Sequence, residues 1–98
     1  MSDPVLLVHG FGSSFKHQWA DPGWVDLLTD AGRQVLGGDL LGHGSAPKPT
    51  DPADYAGIDQ WVEAMAEGHD RIDAVGFSMG ARILLELVCA KPDRFGRL

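Results

Sequence analysis

The chain has 98 residues, 44% of them hydrophobic and 22% charged, a globular balance that excludes disorder and fibrous repeats and leaves room for one domain with a thin core. Its formal net charge of −6 and pI near 4.9 offer no basic face to a phosphate backbone or an anionic membrane, so neither nucleic acid nor membrane is expected as a partner. The single cysteine, Cys89, has no internal disulfide partner and falls in an apolar stretch where it is expected to pack as a small core residue; with Met1-Ser2-Asp3-Pro4 lacking the form of a secretion signal, a cytoplasmic location is expected.

Val5-Leu6-Leu7-Val8 is continuously apolar, the pattern of a strand buried on both faces of a parallel sheet. A Gly- and Ser-rich loop follows. Asp21-Pro22 then reads as an N-cap with proline at the first helical position, with Trp24, Val25, Leu28 and Ala31 on one face and Gly32 as the stop. Gln34 to Gly38 gives a short second strand ending at Asp39 in another glycine-rich loop. From Gly42 to Gly57 three prolines fall among small and polar residues, which predicts a long loop. Ile58, Trp61, Val62 and Met65 recur at helical spacing, and Gly68 closes that helix. Ile72 to Gly76 is a third strand, and Met79 to Ala90 a third helix that stops before Pro92. Between its ends this helix is apolar except for Arg82 and Glu86, so it is expected to be covered on several sides. Trp19, Trp24 and Trp61 are expected to serve packing, and His17 and His69 to lie on the surface.

Strands alternating with helices predict an α/β fold: a parallel sheet with right-handed crossovers and helices on both faces. Where the third strand meets the third helix stands Gly76-Phe77-Ser78-Met79-Gly80. The G-x-S-x-G string alone is weak, but a strand-turn-helix junction is the context its chemistry requires. The chain must turn sharply enough to lift a serine hydroxyl clear of the sheet, and glycines two before and two after remove the collisions of that turn. The following helix then points its N-terminus at the serine, where its dipole favours negative charge. No phosphate-binding loop of the G-x-x-x-x-G-K-S/T or G-x-G-x-x-G type occurs, and Asp39 with His43 makes only two of the ligands a metal needs, so neither cofactor nor metal is expected.

In three segments taken in order, the sequence resembles the α/β-hydrolase fold family. Val5 to Gly12 is similar to its oxyanion strand and loop, Asp39 to Ser45 to the segment after the next strand, and Gly76 to Gly80 to the nucleophile elbow; Pro92 to Phe95 resembles the exit from the elbow helix. The resemblance implies strand order 2-1-3, Ser78 as nucleophile, and an oxyanion hole formed by the backbone N–H groups of Phe11 and Met79. It also implies that His9 and His43 are structural, bracing loops by hydrogen bonds, although both fall at carboxyl ends of strands, where ligands bind. The family's triad runs serine, acid, histidine along the chain. After Ser78 the only carboxylates are Glu86 and Asp93, both leading away from the active-site edge, and there is no histidine. Residues 1–98 are therefore expected to form one incomplete domain of a serine hydrolase acting on an ester-like carbonyl of a small molecule, with the third strand's outer edge open to self-association. The alternative is a non-catalytic fragment that binds a partner or ligand. A serine at the elbow favours ester-like substrates over epoxides and haloalkanes, for which the resemblance would place an aspartate there.

Overall fold

The computed structural model describes residues 3–96. Strands β1 (Val5–Val8), β2 (Val35–Gly37) and β3 (Asp73–Gly76) form one parallel sheet in the order β2-β1-β3. Leu6 pairs with Leu36 on one side and with Ala74 on the other. Helices α1 (Trp24–Asp30), α2 (Ile58–Ala64) and α3 (Met79–Ala90) supply the two covering layers.

All four β1 residues are buried because the strand has a packed layer on each face. Leu6 and Val8 point into a cluster with Leu40, Val62, Ala66, Ile83, Leu84 and Leu87, from α2 and the turn after it, α3 and the loop after β2. Val5 and Leu7 point the opposite way, onto Trp19, Phe15 and the half-buried Val25 and Leu28 of α1. Each fully buried aliphatic side chain of this kind contributes about 1.5–3 kcal/mol of transfer free energy, so the central strand is the main apolar support of the sheet.

Several local expectations are corrected. Asp21 does not cap α1; its N–H bonds back to the Lys16 carbonyl, which makes it the end of a five-residue π-helical turn, Lys16–Ala20. The helix starts three residues later, with Gly23 at φ 96° as its N-cap. Trp24 and Ala31 are exposed, and only Val25 and Leu28 of the proposed face reach the core. The loop after Gly42 contains a 3-10 turn, Pro52–Tyr55, capped by the Asp51 carboxylate on the Ala53 N–H.

Helix α3 is covered along one face only. Ile83, Leu84 and Leu87 meet the sheet, while Leu85 is 59% exposed and Cys89 is exposed rather than in the core. Helical geometry decides this, since Cys89 lies two residues, about 200°, beyond Leu87. The outer edge of β3 is also less open than its pattern predicts. Ile72 forms a parallel bridge with Phe95, its N–H bonding to Arg94 O at 2.7 Å and its carbonyl accepting from Gly96 N–H at 2.8 Å. Among the described residues the open edge therefore begins only beyond Ile72.

Candidate active site

Ser78 is the only non-glycine residue with positive φ among those described, at φ 54° and ψ −112°. A side chain in that region costs on the order of 1–3 kcal/mol, and the neighbours show what imposes it. A methyl group at Gly80 would overlap the Val8 carbonyl oxygen and lie 2.6 Å from that of His9; one at Gly76 would sit 2.6 Å from the Ala81 nitrogen. The glycines thus let the first turn of α3 press against the end of β1. The turn is closed by Gly80 N–H on Phe77 O at 3.0 Å and by Phe77 N–H on Val8 O at 3.2 Å.

A serine in front of a helix ordinarily spends its hydroxyl on an N–H of the first turn. Ser78 makes no such cap, because its conformation turns the side chain away, and it is exposed. The Met79 N–H, at the first position of α3, and the Phe11 N–H have no acceptor among the described residues. The two loops that carry them touch: a methyl at Gly10 would come within 3.1 Å of Phe77 O and 3.5 Å of Ser78 Cβ. The turn that carries Ser78 and the loop that carries Phe11 therefore meet at the carboxyl edge of the sheet. Phe11 and Phe77 flank it, 80% and 58% exposed. An open cleft of about 860 Å³ between the ends of α2 and α3, lined by Glu63, His69, Lys91 and Arg94 among others, lies elsewhere and plays no part in this geometry.

His9 and His43 both brace loops. His9 is fully buried, its Nε2 accepting from Leu40 N–H at 2.9 Å and its Nδ1 donating to Gly10 O at 2.8 Å. His43 repeats the arrangement nearer the surface, its Nε2 accepting from Gly12 N–H at 3.0 Å and its Nδ1 donating to Leu41 O at 3.1 Å. With each ring's lone pair already engaged, neither is placed to take a proton from Ser78. Asp39 gathers the same loops, accepting from Phe15 N–H at 2.8 Å, Ser45 N–H at 2.7 Å and the Ser45 hydroxyl at 2.9 Å. Gln18 completes the frame by accepting from Gly10 N–H at 3.1 Å. No sequence pattern marks Gln18, whose side chain reaches Gly10 only because the π-helical turn folds back.

This geometry has a family. The model of the alpha/beta hydrolase fold matches residues 3–98. The chain belongs to the α/β-hydrolase fold family. The haloalkane dehalogenase of Psychrobacter cryohalolentis is 33% identical over 109 residues, covering 99% of this chain and 32% of its own length. The 2-hydroxymuconate semialdehyde hydrolase of a Pseudomonas species is 33% identical over 100 residues, covering 97% and 34%. Among solved structures, the 2-hydroxy-6-oxo-6-phenylhexa-2,4-dienoate hydrolase of Rhodococcus superposes with a TM-score of 0.73 at 29% identity, over 96% of this chain and 36% of that one. The chain thus spans about a third of the length of these α/β-hydrolases. Among the described residues, no helix is long and apolar enough to cross a membrane, and no group of three or more His, Cys, Asp or Glu side chains is placed to hold a metal ion.

The loop frame carries its own pH dependence. Burial holds His9 below the ordinary imidazole value of 6.5, with His43 adding to the effect against the opposing pull of Gly10 O and Asp39. For Asp39 burial alone would raise the carboxyl, but the bonds from Ser45 and Phe15, with His9 nearby, bring it below 3.8. The unfolded chain therefore takes up a proton at His9 before the folded chain does, and stability falls as pH drops below 6.5. Asp39 removes a second increment in stronger acid, below 3.8, where the folded carboxylate finally protonates. Urea midpoints measured from neutral to acid pH are expected to show both declines. In Asp39→Asn the second should be absent, with a loss of about 1–3 kcal/mol already present at neutral pH.

Proposed function

We propose that Ser78 is the nucleophile of a serine hydrolase acting on an ester-like carbonyl of a small molecule, and that this chain carries the nucleophile and oxyanion half of its site. The observation that carries the reading is the elbow: an exposed, uncapped hydroxyl held at φ 54° in front of a twelve-residue helix. In the reaction proposed, Ser78 Oγ bonds to the carbonyl carbon, and the carbonyl oxygen takes up the electron pair as an oxyanion. The N–H groups of Met79 and Phe11 receive it, a type of stabilisation worth about 3–4 kcal/mol per donor in transition-state energy. Collapse expels the alcohol and leaves an acyl-serine, which water hydrolyses. The elbow glycines, Gly76 and Gly80, act only through the backbone.

Halide displacement or epoxide opening through a covalent ester calls for a carboxylate at the elbow, because the attacking oxygen must already be anionic. Ser78 is a hydroxyl, which favours acyl chemistry over the activity in the dehalogenase's name. A hydroxyl in turn needs a base. His9 and His43 are engaged, and Glu86 is exposed on the solvent side of α3, so the reading assigns the base and its acid to residues outside these 98. The same engagement supports a second reading, a non-catalytic fragment that binds without turnover. A cytoplasmic site of action is part of the proposal.

The test is labelling by a fluorophosphonate, which phosphonylates only an activated serine. The product of the reading frame extended past Leu98 is expected to label within minutes at the peptide containing Ser78 and not in Ser78→Ala. Labelling elsewhere, or none in an extended product that carries an acid and a histidine in that order, would overturn the hydrolase reading.

A further inference from the structure

His43 has a relation to the loop after β1 that its bracing of Leu41 does not require. Its Nδ1–H is committed to Leu41 O, so Nε2 carries the lone pair, and that lone pair is what Gly12 N–H donates to across 31 residues of sequence. Gly12 follows Phe11, and the Phe11 ring stands edge-on to the His43 ring with centroids 5.6 Å apart and planes at 82°. The His9 ring closes the stack from below at 5.2 Å. Gly12 sits at φ 76°, in the left-handed region, with nothing within 4 Å of where a side chain would be. Among the described residues, the bonds that the Gly12 and Ser13 N–H groups donate are those to His43 Nε2 and Gly10 O.

We infer that His43 is a positioning residue for the Phe11 N–H, and that it holds the loop only as a neutral imidazole, so that acid releases the loop. The inference rests on the proposed role of Phe11 as an oxyanion donor for its functional meaning, but the latch itself is a matter of geometry. A proton on Nε2 sets two donors head to head and turns an attraction into a repulsion. His43 is only half-buried, so water can deliver that proton. The charged and titratable groups nearest in the frame are His9 beneath the ring, Asp39 in the loop after β2, which bonds to Ser45, and Lys48, on the loop of His43, its ammonium bonding to the Gly44 carbonyl. His9 has a separate partner in Leu40 N–H, which lets the two histidines be told apart.

The experiment is a pH titration of the ¹⁵N-labelled chain by NMR from pH 8 to 5, reading the His43 ring nitrogens and the Gly12, Phe11 and Leu40 amides. The Gly12 and Phe11 amide shifts are expected to move with the His43 ring. Gly12 exchange, corrected for its intrinsic pH dependence, should become roughly tenfold faster, the factor one ordinary hydrogen bond represents. Leu40 should follow His9 instead, while Leu6 and Val62 in the core hold their positions. In His43→Gln, whose amide oxygen accepts a bond without titrating, the Gly12 and Phe11 shifts should be flat over the same range. Gly12 shifts that ignore the His43 ring, that follow Leu40, or that persist unchanged in His43→Gln would overturn the latch; if that variant fails to fold, the unsubstituted chain decides alone. The titration should come out the same in Ser78→Ala. A latch that behaves as described while the extended product is not labelled at Ser78 by a fluorophosphonate would strike the functional reading only.

Discussion

Gly80→Ala is expected to destabilise the chain by about 3 kcal/mol or more, at or beyond the upper end of ordinary overpacking penalties. The added methyl would meet two carbonyl oxygens, those of Val8 and His9, that belong to the end of the central strand and cannot rotate away. Relief requires the first turn of α3 to lift from β1. That separates Ile83 and Leu84 from Leu6 and Val8 and opens the larger of the two apolar clusters. Against a total stability of about 5–15 kcal/mol for a small domain, such a loss leaves a substantial unfolded population at 37 °C. Gly38→Ala is the control. Its methyl would come no nearer than 3.8 Å to the Met65 side chain, and its effect should stay within about 0.5 kcal/mol. Urea unfolding followed by far-UV circular dichroism measures both. Equal midpoints for the two variants would mean that the elbow is not pinned to β1 as described.

The second expected result is a rate. The 98-residue chain by itself should hydrolyse an activated short-chain ester at no more than about 10³–10⁴ times the uncatalysed rate, the level an oxyanion hole and binding sustain when a triad member is missing. Two observations set this ceiling. The lone pairs of His9 and His43 are engaged by Leu40 and Gly12 N–H groups, so neither of these imidazoles is placed to deprotonate Ser78. The proposed Phe11 donor also stands on a loop held through Gly12 by the bond to His43, and a donor that moves when such a bond opens loses part of its preorganised stabilisation. The assay compares the chain with Ser78→Ala, which subtracts hydrolysis by exposed histidines such as His17. Turnover of several per second that vanishes in Ser78→Ala would show that a residue within these 98 does act as base. His43→Gln would then identify it, by abolishing that turnover or leaving it.

Much of the fold was legible because its signals are local. A run such as Val5 to Val8 has no polar member to face water, and a strand with a layer on each face needs none. The glycine spacing around Ser78 could be read as a sharp turn because the collisions it avoids lie within a few residues. Asp21 looks like a cap in sequence because its residue type favours one, whereas the bond from its N–H to Lys16 O makes it the end of a π-helical turn, a partner that residue type does not indicate.

The sequence by itself determined the order of elements, the parallel sheet, the elbow at Ser78 and the lack of any histidine after it, since each depends on residue identity and near neighbours along the chain. Tertiary structure alone decided which face of α3 is covered, leaving Leu85 and Cys89 in solvent, and that Phe95 returns to pair with Ile72. It also decided that His9 and His43 spend their lone pairs on N–H groups 31 residues away. The physical reason is that a hydrogen-bonding side chain carries the same donors and acceptors whether it is base or brace. What separates the two roles is the partner within 3 Å, and the folding of the chain, not its spelling, brings that partner there.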